Sequence, residues 1–234
     1  MIEEVDFETY LYVSRNKFEI SLFDKVESKN LYKNESKIKN NLDNISFLDL
    51  SKFLDENIFK IEKLIGKFIK NIFLIVEYNN NLDVNICIKK KNYDDLLSKK
   101  NLEYALIDVR DLFMENYKKQ TIMHIIINNY LIDGKYHSSF VNNLKCDYLC
   151  LEVSFISLSS EFIYKFEKIL EKYQITISQT LSGNYIKHFF NEKNIDICDM
   201  AQKITHGCNE NEVAIIPKNK ENKGFFEKFF QLFS

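Results

Sequence analysis

The 234-residue chain has one proline, five glycines and no tryptophan. The glycines, at positions 66, 134, 183, 207 and 224, are never close together. That scarcity excludes a glycine-rich phosphate cradle, whose backbone N–H groups need neighbouring glycines to approach an anion. Charge of one sign is missing too. Against 34 acidic residues stand 32 lysines and arginines, a net charge of −2, so no global field draws the chain to nucleic acid. Its five cysteines, Cys87, Cys146, Cys150, Cys198 and Cys208, include no C-x-x-C pair, and the acidic start MIEEVDFET has no apolar leader core. The expectation is reduced thiols in a cytoplasmic protein, with Cys146 and Cys150, four apart in one strand, packing on a common face. No run approaches the ~18–20 apolar residues of a spanning helix, so the chain is not expected to cross a membrane by itself.

What is present is a hydrophobic content of 45% and an aromatic content of 14%, enough for a folded core. TYLYV (9–13) and KFEISLF (17–23) read as a β-hairpin around Ser14-Arg15-Asn16, with a short third strand at 30–34 and a polar loop over 33–45. Phe47, Leu50, Leu54, Ile58, Ile61, Ile65 and Phe68 then recur at the helical period behind Ser46, a capping residue. Strands at 72–78 and 84–90, a helix near 101–117, strands at 122–132 and 147–158, a helix to about Tyr173, a strand at 175–181 and a short helix at 184–190 follow. The order predicts an α+β domain with a single sheet.

The chain ends in GFFEKFFQLFS. At the helical period Phe225, Phe226, Phe229, Phe230, Leu232 and Phe233 fall within an arc of roughly 160°, a two-faced helix. Lys223 and Lys228, beside that face, suit an anionic lipid surface, and these eight residues are the expected membrane-binding set. A helix docked on its own core is the competing reading of the same pattern.

Chemistry-bearing residues are sparse. His206-Gly207-Cys208 suits a helix end with a glycine cap better than a metal site. His124 and His188 have no acid or nucleophile in sequence reach, and Asp108, Arg110 and Asp111 form a charge cluster of the solvated-face kind. No catalytic, cofactor-binding or metal-ligating residue is expected.

Residues 46–208 and the tail resemble the bacterial cell-division protein FtsA, an actin homologue. MHIIINNYLIDG (123–134) is similar to that family's strand of the form LHVxPxxYxIDG, and the run from Cys146 to Gly183 resembles the strand, helix and strand that finish its insert domain. ICDMAQKITHGC (197–208) resembles part of a later helix. On this resemblance the domains are a hairpin remnant of an actin-like subdomain (1–34), a linker (35–45), an FtsA-like insert (46–190), a remnant helix (191–216), a second linker (217–223) and the amphipathic helix (224–234). The family's first phosphate loop, L-D-I-G-[ST]-[ST]-K, reads LYVSRNK (11–17) here: Tyr12 replaces the metal-holding Asp, Ser14 replaces the Gly, and Lys17 is kept. The second loop, D-x-G-G-G-T, has no counterpart. The resemblance therefore implies a non-enzymatic adaptor without cofactor on the cytoplasmic face of the inner membrane, self-associating and holding division proteins, with FtsZ a possible partner. A pilus-assembly scaffold of the same architecture is the alternative.

Overall fold

The computed structural model describes residues 7–38, 45–191 and 196–214. The chain divides into two compact units. The first takes residues up to 80 together with 161–208; the second takes 81–160 and, of the later described residues, 209–214.

In the first unit, β1 (Phe7–Val13), β2 (Lys17–Asp24) and β3 (Lys29–Lys37) form an antiparallel meander. Helix α1 (Phe47–Ile65) leads to β4 (Asn71–Val76), which lies parallel to β1. That pairing needs a long crossover, because parallel neighbours cannot be joined by a tight turn. Ser46 caps α1 through the Asp49 N–H, as its position predicts. The helix stops one turn short of the expected Phe68: Gly66 takes a left-handed conformation (φ 68°), and Phe68 is left 81% exposed. Phe18 of β2 meets Phe53 of α1 at 5.9 Å between ring centroids. Buried Asn57 ties α1 to β3, accepting from Tyr32 (2.6 Å) and Asn34 (2.7 Å) and donating to the Phe53 carbonyl (2.6 Å).

The second unit begins with β5 (Leu82–Leu96), followed by α2 (Lys99–Asn116), β6 (Gln120–Ile132), β7 (Lys135–His137) and β8 (Lys145–Ser159). These strands make one antiparallel sheet in the order β5-β8-β6-β7. Leu102, Ala105, Leu106, Val109 and Phe113 of α2 pack on alternate residues of β6 and β8, with Phe113 stacked on Phe155 at 4.6 Å. Residues 211–213 lie along β6: Ile127 N–H donates to Asn211 O and Val213 N–H to Ile125 O. Val213 enters this core, and His124, fully buried, bonds Glu212 at 2.6 Å.

The chain then returns to the first unit through α3 (Ser160–Leu170), a 3-10 turn (Glu171–Tyr173), β9 (Thr176–Ser182), α4 (Gly183–Phe190) and α5 (Ile197–Thr205). Strand β9 pairs parallel to β4, completing a five-stranded sheet in the order β3-β2-β1-β4-β9. One face packs Tyr10, Tyr12, Ile75 and Leu181 against Ile186 of α4 and Ile197, Cys198, Met200, Ala201 and Ile204 of α5.

Two expectations change. Among the described residues the strands form two sheets, not one, and the segment 46–190 divides between the two units. Strand β4 pairs with β1 on one side and β9 on the other, so hydrogen bonds gather α1, β4, α3, β9 and α4 with the N-terminal strands and set 81–160 apart. The N-terminal hairpin is accordingly a central part of a sheet, and the polar third strand runs on to Lys37, into the expected linker. An edge strand can be this polar because it has little to bury. Residues 39–44 and 217–234, with the second linker and all eight expected membrane-binding residues, lie outside the described residues.

Candidate functional site

Parallel strands β1, β4 and β9 end together, with Val13 beside Val76 and Val76 beside Ser182. In open sheets with parallel strands, the carboxyl ends are where ligands are held. Three short features close this edge. The β1–β2 turn is tight: Ser14 N–H and its Oγ both donate to the Lys17 carbonyl, and Lys17 N–H donates back to Ser14 Oγ at 3.0 Å. Glu77, just past β4, bonds the Val13 carbonyl through its N–H at 2.9 Å. Ser182 caps α4 through Tyr185 N–H, and Gly183 packs so closely that a Cβ there would meet the Glu77 Cβ at 3.1 Å.

Across this edge lies a three-residue network. The Tyr12 hydroxyl donates to the Glu77 carboxylate, and the Lys187 ammonium from α4 joins both, 3.3 Å from the Tyr12 oxygen and 5.5 Å from its ring centroid. Burial, reinforced by the bond to Glu77, pushes the Tyr12 phenol well above its ordinary pKa, so it stays a neutral donor. One carboxylate and one ammonium cancel, and the phenol proton is used. The arrangement offers the edge a neutral set in which the phenol proton and two of the three ammonium protons are already engaged. Glu77 and Lys187 keep side-chain exposures of 29% and 47%, so their ion pair adds at most about 1 kcal/mol.

Lys17, the loop residue the sequence retains, serves elsewhere. Its ammonium lies 2.5 Å from Glu19 and 2.6 Å from Glu35. Glu19 is fully buried beside Asp196 and Cys198, three groups whose donor atoms lie within 4.8 Å of one another. Lys33 reaches Asp196 at 2.5 Å and Glu19 at 3.5 Å. Burial and the hydrogen bond to Asp196 raise the Glu19 pKa. Burial opposes ionisation of Asp196 as well, but the bonds from Glu19 and Lys33 outweigh it and hold its pKa below the usual value. Of the two carboxyls, Glu19 is therefore the one that holds a proton more tightly. Cys198 is kept a neutral thiol, chiefly by burial and then by the Glu19 and Asp196 charges. A cation would want that thiol ionised and would have to displace two ammonium groups. The cluster instead fastens α5 to the sheet, since Asp196 also caps that helix through Cys198 N–H (2.9 Å).

Other candidate residues fall into structural places. His206 ends α5 with Gly207 beyond it at φ 82°, and it contacts Glu8 at 3.1 Å. Asp108 pairs with Lys90, and Arg110 with Asp111, on an exposed helix face. Cys146 joins the core of the second unit, whereas Cys150 sits half-buried against Cys87, so the expected joint packing of Cys146 and Cys150 does not occur. Glu77 and Lys187 were missed by sequence reasoning. They lie 110 positions apart, and only the parallel register of β1, β4 and β9 brings them together.

No protein-family model matches this chain, and no curated protein matches it. Among solved structures it is similar to a protein of Bacteroides thetaiotaomicron with an actin-like ATPase fold and unknown function (15% identity, 81% of this chain and 58% of that one, TM-score 0.38). It is also similar to the PilM–PilN type IV pilus biogenesis complex (8%, 78% and 49%, 0.45). A third is the cytoplasmic domain of EpsL, an inner membrane component of the type II secretion system of Vibrio cholerae (8%, 76% and 56%, 0.35). The chain spans between 49% and 58% of the length of these chains. At such identities the likeness concerns fold alone, and with every TM-score below 0.5 no function follows from it.

Proposed function

We propose that the chain is a non-catalytic protein scaffold of a bacterial envelope assembly, built on an actin-like half whose phosphate-binding place has been closed by side chains. The Tyr12–Glu77–Lys187 network carries this reading. It occupies the strand ends, while the β1–β2 turn uses the Ser14 and Lys17 N–H groups internally. A loop that binds phosphate must leave such groups free and must bring a carboxylate to the metal. Calorimetry with ATP and Mg²⁺ is expected to give no saturable heat, and binding at micromolar ATP would overturn the reading.

A scaffold of the pilus-assembly kind is the broader form of this proposal; PilM–PilN is described as a type IV pilus biogenesis complex and EpsL as a component of a type II secretion system. An FtsA-like adaptor holding division proteins at the inner membrane is the narrower form. It rests on the phenylalanine-rich end, Gly224 to Ser234, and its lysines. Ten helical residues span about 15 Å, enough to lie in an interface of anionic lipid but not to cross it. Replacing Phe229 and Phe233 with Glu is expected to abolish co-sedimentation of the full chain with anionic liposomes while leaving the melting temperature unchanged. Retained sedimentation removes the narrower form, and a fall in melting temperature favours a tail docked on its own core.

A further inference from the structure

The sheet of the second unit has a face turned away from α2, and there β5 and β8 bring two cysteines together. Antiparallel register sets Cys87 opposite Glu152 and Lys89 opposite Cys150, so the cysteines are diagonal neighbours. Their sulfurs lie 3.0 Å apart, and both are free thiols. The flanking positions are held by a polar lattice: Ser154 donates to Asn85 and accepts from Asn128, each at 2.6 Å.

We propose that Cys87 and Cys150 are a thiol–disulfide pair, oxidised to a cross-strand disulfide by a low-molecular-weight disulfide of the glutathione type. A disulfide bond is about 2.05 Å long, so the sulfurs must close by about 1 Å to bond. The two residues differ in access. Cys87 is exposed and Cys150 is half-buried, its thiol pushed up to about 11 by burial and then by its bond with Cys87, with Lys89 opposing. Cys87 therefore reacts first. Its thiolate attacks one sulfur of the small disulfide, the S–S bond breaks, and the departing sulfur takes the electron pair and a proton from solvent. Cys150 then gives its proton to solvent and attacks the Cys87 sulfur, expelling the second small thiol. Two protein thiols lose two electrons and two protons, and one small disulfide gains them to become two thiols. The product joins β5, an edge strand of its sheet, covalently to β8.

The test uses the full chain in glutathione buffers of rising oxidised fraction, followed by alkylation, proteolysis and mass mapping. The expected result is loss of two of the five free thiols and a single cross-linked peptide pair containing Cys87 and Cys150. Cys87→Ser and Cys150→Ser should each remove that pair, and Cys208→Ser should not. Alkylation of all five cysteines at the most oxidising ratio would overturn the proposal. So would glutathione remaining on Cys87 alone, or a cross-link through another cysteine. Mapping of the unsubstituted chain decides the matter even where a variant folds poorly.

Discussion

The two sheets solve the same problem differently. The first has parallel pairs at its centre and is buried along its middle strands: Leu11, Val13, Ile20, Leu74, Ile75 and Val76 are all fully enclosed. The second is wholly antiparallel, with α2 on one face and a polar face opposite, so β5 alternates half-buried Val84, Ile86 and Ile88 with exposed Asp83, Asn85, Cys87 and Lys89. Parallel strands need crossovers, and crossovers bring helices to cover the sheet; hairpin-joined strands can leave one face to water. A chain with both patterns was therefore announcing two units. Strands 72–78 and 84–90 follow one another closely in sequence, yet they belong to different sheets.

The sharpest way to separate the two is to damage the one-faced core. Phe113 is the aromatic centre of α2, stacked between Phe155 and Tyr117. Phe113→Ala should cost about 3–5 kcal/mol, through lost burial and the cavity left behind. Hydrogen exchange is expected to show β6 and β8 losing protection while β1 and β4 keep theirs. Equal loss in both sheets would mean that they open as one cooperative body.

A smaller effect, specific to the two-faced sheet, comes from Glu19. Its raised pKa means the folded state holds the proton more tightly, so the stability it allows is full below the unfolded carboxyl value and declines as pH rises above it. Asp196 has the opposite sign: its lowered pKa stabilises above its unfolded value, and that contribution is lost as pH falls. Glu19→Gln keeps the shape and removes the first limb. The melting temperature of the variant relative to the parent should therefore climb as pH rises above the unfolded carboxyl value of about 4.3. A difference that stays flat across that range would show that Glu19 does not titrate as its burial requires.

How much of this could be read from the chain depends on the range of the interaction. Local signals were legible: the Ser46 cap, the α1 stripe, the Ser14-Arg15-Asn16 turn and the Gly207 helix end all follow from neighbours a few residues apart. Beyond the 9–13 and 17–23 hairpin, distant strand partners were not, because alternation says which face a residue takes but not which strand lies beside it. The candidate site suffered most. Tyr12 was singled out as a replaced loop residue, but Glu77 and Lys187 carried no signal until parallel pairing placed them at one edge. Phe68 shows the converse error, where periodicity extended a helix that Gly66 had ended.

The smallest effect is expected on the open face, and it tests whether a hydrogen-bonded lattice there stabilises as a buried one does. Ser154 sits between Asn85 and Asn128 with a bond of 2.6 Å to each, as good in length as the bonds around Asn57. Their surroundings differ. Asn57 is fully enclosed, so a partner lost there leaves its own buried amide with little access to water. Asn85 and Asn128 are exposed, and water replaces the serine at once. An exchange of one hydrogen bond for another leaves a small net term, whereas stranding a buried group costs its full desolvation. Ser154→Ala should consequently lower stability by less than about 1 kcal/mol in chemical denaturation, with an unchanged denaturant slope. A loss above about 2 kcal/mol would mean that this face is not open to water, and the contrast between one-faced and two-faced sheets would fail with it.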